Sequence, residues 1–228
     1  MRLTIANKNY SSWSLRPWVL MKALAIPFEE RILYFGPQTK DAFRAASPTA
    51  RVPVLETDGL TVWDSLAIVE TLAETHPGVW PSNRAARAFA RSACAEMHAG
   101  FPVLRDICTM SCGVRVALSD MPPALQADIG RVGAIFEEGL TRFGGPFLAG
   151  EAFTAADAFF CPVAFRVRTY GLLLPEPAAA YVERLLALPA MVEWHAAALS
   201  ETEREPGHEA DMHRAGRVLS DARAAASL

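Results

Sequence analysis

No stretch of this chain approaches the ~20 consecutive apolar residues that a membrane-spanning helix needs. The cleanest apolar run, residues 158–165, is interrupted by Pro162 and fits a buried helix. The N-terminus turns polar within its first nine residues, too soon for a secretory signal. Charge of one sign is also lacking: 22 basic against 25 acidic residues leave a net charge of -3. That balance argues against a nucleic-acid partner, which calls for a basic patch. Cysteine is scarce, at four positions (Cys94, Cys108, Cys112 and Cys161) in 228 residues. Their spacing matches neither a zinc ribbon nor a CxxC redox pair, so they are read as core thiols in a reducing compartment, with no metal site. Cys108 and Cys112 stand one helical turn apart and would share a helix face. No internal repeat is present. The expectation is a soluble cytoplasmic protein, long enough for one large domain or two small ones.

The periodicities give an order. Residues 3–6 are short and β-prone, and 7–10 form a polar loop. From Ser14 apolar residues recur at helical spacing to Leu24, with Pro17 near the start and Pro27 closing the helix. Residues 28–33 alternate as a second strand, and 34–47 are loop plus a short helix. Residues 52–56 and 60–63, joined by Thr57-Asp58-Gly59, read as a hairpin, and 66–74 return to helical spacing. Residues 1–80 are therefore β-α-β-α-β-β-α, expected as a four-stranded mixed sheet with flanking helices. Pro77 to Ser82 reads as a linker. Everything beyond is helical in pattern. A long helix over 84–112, kinked at Gly100 and Pro102, comes first. Further helices follow from Pro123 to Phe143, over 155–170, over 178–188 and over 191–203. Residues 204–228, rich in Ala, Arg and Asp, read as a peripheral tail, partly helical and dispensable for folding.

Three segments carry chemistry. In Arg51-Val52-Pro53-Val54-Leu55 a proline opens a strand, a candidate cis bond because only X-Pro bonds adopt cis cheaply. Such a bond would turn the amide and carbonyl of Val52 outward, to pair with an extended peptide as an added strand does. Asp64-Ser65 places a carboxylate beside a hydroxyl at a helix start. Ser11-Ser12-Trp13-Ser14 places hydroxyls at another. Helix capping explains either set. Binding explains both, because together they suit a small peptide held by its backbone and its ends.

With these motifs in order, the chain resembles the cytosolic glutathione transferases over about 200 residues. Ser11-Ser12-x-Ser14-x-Arg16 is similar to the zeta class and its bacterial relatives. Val52-Pro53 matches the family's cis-proline motif, and Asp64-Ser65-Leu66-Ala67-Ile68 matches the segment that holds the γ-glutamyl end. Gly150, Thr154 and Asp157 match the folding motif of the helical domain. The resemblance implies a thioredoxin-like glutathione-binding domain over 1–80, an all-α domain over 84–203 and a tail over 204–228. One position departs: Trp13 stands where the zeta class carries cysteine, which removes the thiol used in disulfide exchange.

By this resemblance Asp64 takes the ligand ammonium, and Ser65 with the helix amides takes the α-carboxylate. Val52 and Pro53 hold the peptide backbone, and Lys40 and Arg51 face the glycine carboxylate. Ser11, with Ser12 second, donates to the sulfur. Depressing a thiol pKa near 8.5 by two units needs about 2.7 kcal/mol. One hydrogen bond to a charged group supplies roughly 1.5–3 kcal/mol, so neither histidine nor metal is required. The second-substrate pocket is assigned to Trp13, Met97, His98, Phe101, Arg105 and Arg168, with Arg166 also considered. His208 and His213 are read as solvent residues. Thr154 and Asp157 read as a capping pair. The expected activity is conjugation of glutathione to a small electrophile by a homodimeric, detoxifying enzyme. The alternatives are glutathione-dependent cis–trans isomerisation of the maleylacetoacetate type and a non-catalytic glutathione-binding or protein-interaction module.

Overall fold

The computed structural model describes residues 1–226; Ser227 and Leu228, the end of the expected tail, lie outside the described residues. Four strands, β1 (Arg2–Ile5), β2 (Glu29–Ile32), β3 (Val54–Thr57) and β4 (Leu60–Val62), form one sheet in the order β2-β1-β3-β4. β1 runs parallel to β2 and antiparallel to β3, and β3 to β4 is the hairpin. The parallel pair needs a crossover, and α1 (Ser12–Ala23) supplies it. The short α2 (Lys40–Ala46) follows β2, and α3 (Ser65–Ala73) follows the hairpin. Leu3, Ile5 and Leu55 of the sheet pack with Leu15, Val19 and Ile68 in one core that continues into the helices beyond. The Val52–Pro53 and Trp63–Asp64 peptides are cis.

The remaining helices are α4 (Arg84–Ala99), α5 (Pro102–Ile107), α6 (Pro123–Phe143), α7 (Ala155–Tyr170), α8 (Ala178–Leu186), α9 (Pro189–Ser200) and α10 (Pro206–Ala215). Buried over most of its length, α7 forms the axis of this region. Among the described residues no helix is long and apolar enough to cross a membrane.

Three expectations need correction. The helix expected over 84–112 is two helices, because Phe101 takes a left-handed conformation (φ 60°) between them. A Cβ on Gly100 would lie 2.8 Å from the Glu96 carbonyl, so the break requires glycine there. Cys108 and Cys112 therefore share no helix face; both follow α5 in irregular chain. Nor is everything beyond the linker helical: β5 (Val114–Leu118) pairs antiparallel with β6 (Gly216–Asp221).

The expected peripheral tail is the third, since it supplies both α10 and β6. Met212 of α10 is buried, and the Arg223 guanidinium is buried between Glu209 (2.6 Å) and Asp221 (2.7 Å). Tyr10 donates its hydroxyl to the same Glu209 at 2.7 Å, tying the tail to the loop before α1. Replacing Met212 by alanine is expected to cost ~2 kcal/mol of unfolding free energy through the cavity it leaves. A dispensable tail would instead leave the urea midpoint unchanged.

Candidate functional site

The loop before α1 is fixed from below. Buried Glu201, just past α9, accepts from the Lys8 amide at 2.6 Å and the Asn9 amide at 3.0 Å. The Trp194 indole donates to the Lys8 carbonyl at 2.9 Å, and the Phe35 amide donates to Asn7 at 2.7 Å. These bonds cross between distant parts of the chain and hold Tyr10, Ser11 and Ser12 at the rim of a cleft of about 520 Å³.

Ser11 is the N-cap of α1 but makes no capping bond; its Oγ donates to Ser14 Oγ at 2.7 Å. Ser14 Oγ in turn accepts from the Ala6 amide at 3.3 Å. Hydroxyl hydrogens rotate. With an anion in the cleft, Ser14 can donate to Ser11 and Ser11 to the anion. Ser12 is supported differently: Arg166 Nη2 donates to its Oγ at 3.5 Å, which leaves the Ser12 hydrogen free to point at a ligand.

Burial pushes the Arg166 guanidinium down to about 10, with nearby Arg105 adding to the effect, and it remains a cation at neutral pH. Burial also lowers Arg105, a second cation on the cleft. Arg16 is fully buried behind them. It contacts Ser65 Oγ at 3.5 Å, and its guanidinium lies 4.3 Å from the Trp13 ring centroid and 4.7 Å from that of Phe159. Arg105 lies 4.9 Å from the same Trp13 ring. Three guanidinium groups thus converge near the serines, and none of them forms a salt bridge to a carboxylate among the described residues. This region favours a developing negative charge.

A second cleft, of about 390 Å³, adjoins the first and shares Trp13, Arg51 and Val52 with it. Asp64, Ser65, Pro53 and His98 line it. Asp64 caps α3, Oδ1 accepting from the Leu66 amide at 3.0 Å, and its Oδ2 lies 3.1 Å from His98 Nε2. Burial lowers the His98 pKa despite Asp64, so the imidazole is neutral at pH 7. Asp64 thus divides its oxygens, Oδ1 to the helix amides and Oδ2 to His98 at the wall of the smaller cleft. No described residue bonds to the Val52 amide or carbonyl, which lie between the two clefts.

The expected residues divide as follows. Ser11, Ser12, Lys40, Arg51, Val52, Trp13 and Arg105 line the larger cleft, and Pro53, Asp64, Ser65 and His98 the smaller one. Met97, Phe101 and Arg168 line neither. Met97 is core, and it contributes only its carbonyl, which accepts from Arg16 and Arg105. Phe101 is buried at the break before α5. Arg168 points away, over the Phe165 ring and toward the Cys112 carbonyl at 3.5 Å. Thr109 and Met110, in the irregular chain after α5, line the larger cleft and were masked by the expectation of a continuous helix. His208 lines it too, and so it is not a solvent residue. Only Tyr10 could have been found from sequence, since it adjoins Ser11. Burial pushes Cys108 and Cys112 each up to about 12, and raises Cys94 and Cys161, so the cleft has no thiolate of its own at neutral pH.

The family model for the glutathione S-transferase N-terminal domain matches residues 10–75, the span that carries both serines, Val52-Pro53 and Asp64-Ser65. Over these residues the chain is similar to the glutathione transferases. The chain is 27% identical over 174 residues to the maleylacetoacetate isomerase of Rattus norvegicus, covering 75% of this chain and 79% of that one. It is also 27% identical over 202 residues to a probable maleylacetoacetate isomerase of Caenorhabditis elegans, covering 82% and 91%. Among solved structures it resembles a glutathione transferase homologue from Burkholderia with bound glutathione. The TM-score is 0.65 at 24% identity, over 86% of this chain and 97% of that one. The two curated relatives carry the name maleylacetoacetate isomerase, and the solved structure shows the same fold.

Proposed function

We propose that this glutathione transferase binds glutathione across the two clefts and activates its thiol for attack on a small electrophile. The observation that carries the reading is the continuity of the serines, the unpaired Val52 backbone and Asp64-Ser65 along one surface. In this reading Asp64 takes the α-ammonium, Ser65 and the α3 amides the α-carboxylate, and Val52 the cysteinyl amide and carbonyl. Lys40 and Arg51 face the glycine carboxylate. Ser11, backed by Ser14, donates to the sulfur, and Ser12, backed by Arg166, is the alternative donor. Arg105 and Trp13 line the space left for the electrophile. A cytoplasmic homodimer completes the proposal on the strength of the sequence resemblance.

A second reading, cis–trans isomerisation of a carboxylate-bearing enone, is favoured by the cations of the larger cleft. Arg105 and Arg166 are suited to hold a carboxylate of the second substrate. The named activity of the rat and nematode relatives points the same way. Trp13, in place of the zeta-class cysteine, still leaves the serine mechanism available.

Turnover of glutathione with a haloarene, a cis-enone and a peroxide separates these readings. Conjugation of the first two supports the transferase, and isomerisation of the enone supports the second reading. Glutathione binding without turnover of any of the three would leave only a binding module.

Asp64 gives a sharper test of the binding geometry. Asp64→Asn retains an oxygen for the Leu66 amide but loses the charge. It is expected to weaken glutathione about tenfold, the effect of losing one charge-assisted bond at a half-exposed site, with little change in melting temperature. Unchanged affinity by calorimetry would remove Asp64 from the site.

A further inference from the structure

The tail brings one titratable side chain to the cleft that the reading above leaves unused. The His208 ring is stacked between Tyr10 (centroids 5.0 Å apart, planes at 27°) and Phe35 (5.4 Å, 20°). Phe35 stacks in turn on Phe43 of α2, at 5.7 Å. One ring nitrogen is committed, since Nδ1 lies 2.6 Å from Glu205 Oε2. The His208 amide also donates to that oxygen, at 2.7 Å. Nε2 has no protein partner among the described residues, and the residue lines the same cleft as Ser11 and Ser12.

This is a carboxylate-oriented imidazole. Glu205 accepts from Nδ1–H and so fixes the tautomer, leaving Nε2 as the working atom. The carboxylate is ionised at neutral pH. Burial raises its pKa, but the bonds from the His208 amide and ring, with help from the Gly207 amide, outweigh that and hold it below the usual range. A carboxylate on one edge and two aromatic faces above and below hold the ring in place. The other charged groups nearby have different tasks. Glu209 is taken by Tyr10 and Arg223. Asp211 lines the cleft from the same helix, and Lys40 and Arg44 of α2 line it together with Arg51. Arg105 and Arg166 face it from α5 and α7. Burial raises Tyr10, further helped by its bond to Glu209, so the phenol is a committed donor and no acid for the substrate.

We propose that His208 is a catalytic acid toward the second substrate, donating a proton from Nε2 to the carbon skeleton after the thiolate has added. This rests on the transferase reading and assigns the step that completes conjugation to an α,β-unsaturated ketone. The sulfur forms a bond to the β-carbon. The displaced π pair moves through the α-carbon onto the carbonyl oxygen. The α-carbon then takes the Nε2 proton as the carbonyl re-forms, and the neutral imidazole regains a proton from solvent. The proton lost when the thiol ionised is thereby balanced, and glutathione plus enone gives the saturated conjugate. Cis–trans isomerisation needs no such proton, because rotation within the adduct and expulsion of the thiolate restore the enone. His208 therefore sets the partition between conjugate and isomer.

The test uses the full chain, glutathione and cis-4-oxopent-2-enoate. His208→Phe keeps a flat ring between Tyr10 and Phe35 and removes the proton. The conjugate rate is expected to fall by ~10²-fold, the usual scale of general acid catalysis, with the trans isomer forming as fast as in the parent. Glutathione affinity by calorimetry should stay within about twofold, since the variant leaves every glutathione contact in place. An unchanged ratio of conjugate to isomer overturns the inference and leaves the transferase reading standing. A parent protein that binds glutathione and forms isomer alone does the same. A parent that forms neither product overturns both. Should His208→Phe fail to fold, His208→Gln and nitrogen NMR of the parent decide. The Nε2 resonance should shift when the saturated conjugate of glutathione with this ketone binds, and no shift would overturn the assignment.

Discussion

Alanine at Ser11 is expected to raise the apparent pKa of enzyme-bound glutathione by about 1–2 units. The lost donor serves a charged sulfur and is worth roughly 1.5–3 kcal/mol, and one unit corresponds to about 1.4 kcal/mol. At pH 7 turnover should fall ~10- to 100-fold, because that much less of the bound thiol is ionised. The sign follows from which form the bond favours. A donor stabilises thiolate, so its removal shifts ionisation to higher pH. The deficit should therefore shrink as pH rises and the thiol ionises unaided. Affinity should barely change, since the proposed binding mode places most contacts with glutathione at Asp64, Ser65 and Val52. The Ser14–Ser11 relay and the Arg166–Ser12 contact make the two serines distinguishable. If Ser12 is the donor, Ser12→Ala alone carries the pH pattern, and Arg166→Lys weakens it. Ultraviolet titration of the bound thiolate reads all of these. Absence of a shift in both serine variants, with glutathione still bound, would sink the serine mechanism.

Asp157 is expected to be the most costly single position for stability. Its carboxylate is fully buried at the start of α7 and accepts four hydrogen bonds. The donors are the Leu148 amide (2.9 Å), the Thr154 amide (2.8 Å), the Thr154 hydroxyl (3.2 Å) and the Tyr181 hydroxyl (2.8 Å). Burial raises its pKa, and these four bonds oppose the rise. Alanine there strands donors from three separate segments around the buried axis of the helical region. The expected loss is ~3–5 kcal/mol, from several unsatisfied donors at about 1–3 kcal/mol each, partly relieved by water entering. The Asp157→Asn variant retains acceptors for only some of the donors and should lie in between. Urea unfolding measures both. Glutathione affinity of the folded fraction should be unchanged, since Asp157 lines neither cleft. Full stability in the alanine variant would show that the capping pair is ornamental.

Elements with local causes could be read directly. The element order β-α-β-α-β-β-α follows from alternation, a short turn and helical spacing, all short-range in sequence. Asp64 announces a helix start because its side chain caps the next turn. Ser11, Ser12, Val52 and Asp64 were legible because each lies at a junction between elements, where a loop or helix end presents backbone and hydroxyl groups. The break at Phe101 was not legible as a full break. Gly100 and Pro102 signalled a kink, but a left-handed phenylalanine between them depends on its burial in the core.

Tertiary structure decided the rest, for one physical reason: these features depend on partners far away in sequence. β6 has no apolar alternation of its own and becomes a strand because β5, about a hundred residues earlier by number, offers an edge. Arg166 and Arg168, two residues apart on α7, were indistinguishable in sequence; the helix turns one toward Ser12 and the other toward Cys112. His208 and His213 looked alike in a polar tail. Stacking on Tyr10 and Phe35 draws the first into the cleft and leaves the second exposed. The sequence by itself determined the family resemblance, the element order of the first 80 residues and the motifs at their junctions, because those rest on local backbone geometry and caps. Only the packed chain decided which charged side chains line the larger cleft, because burial and long-range contacts assign those places.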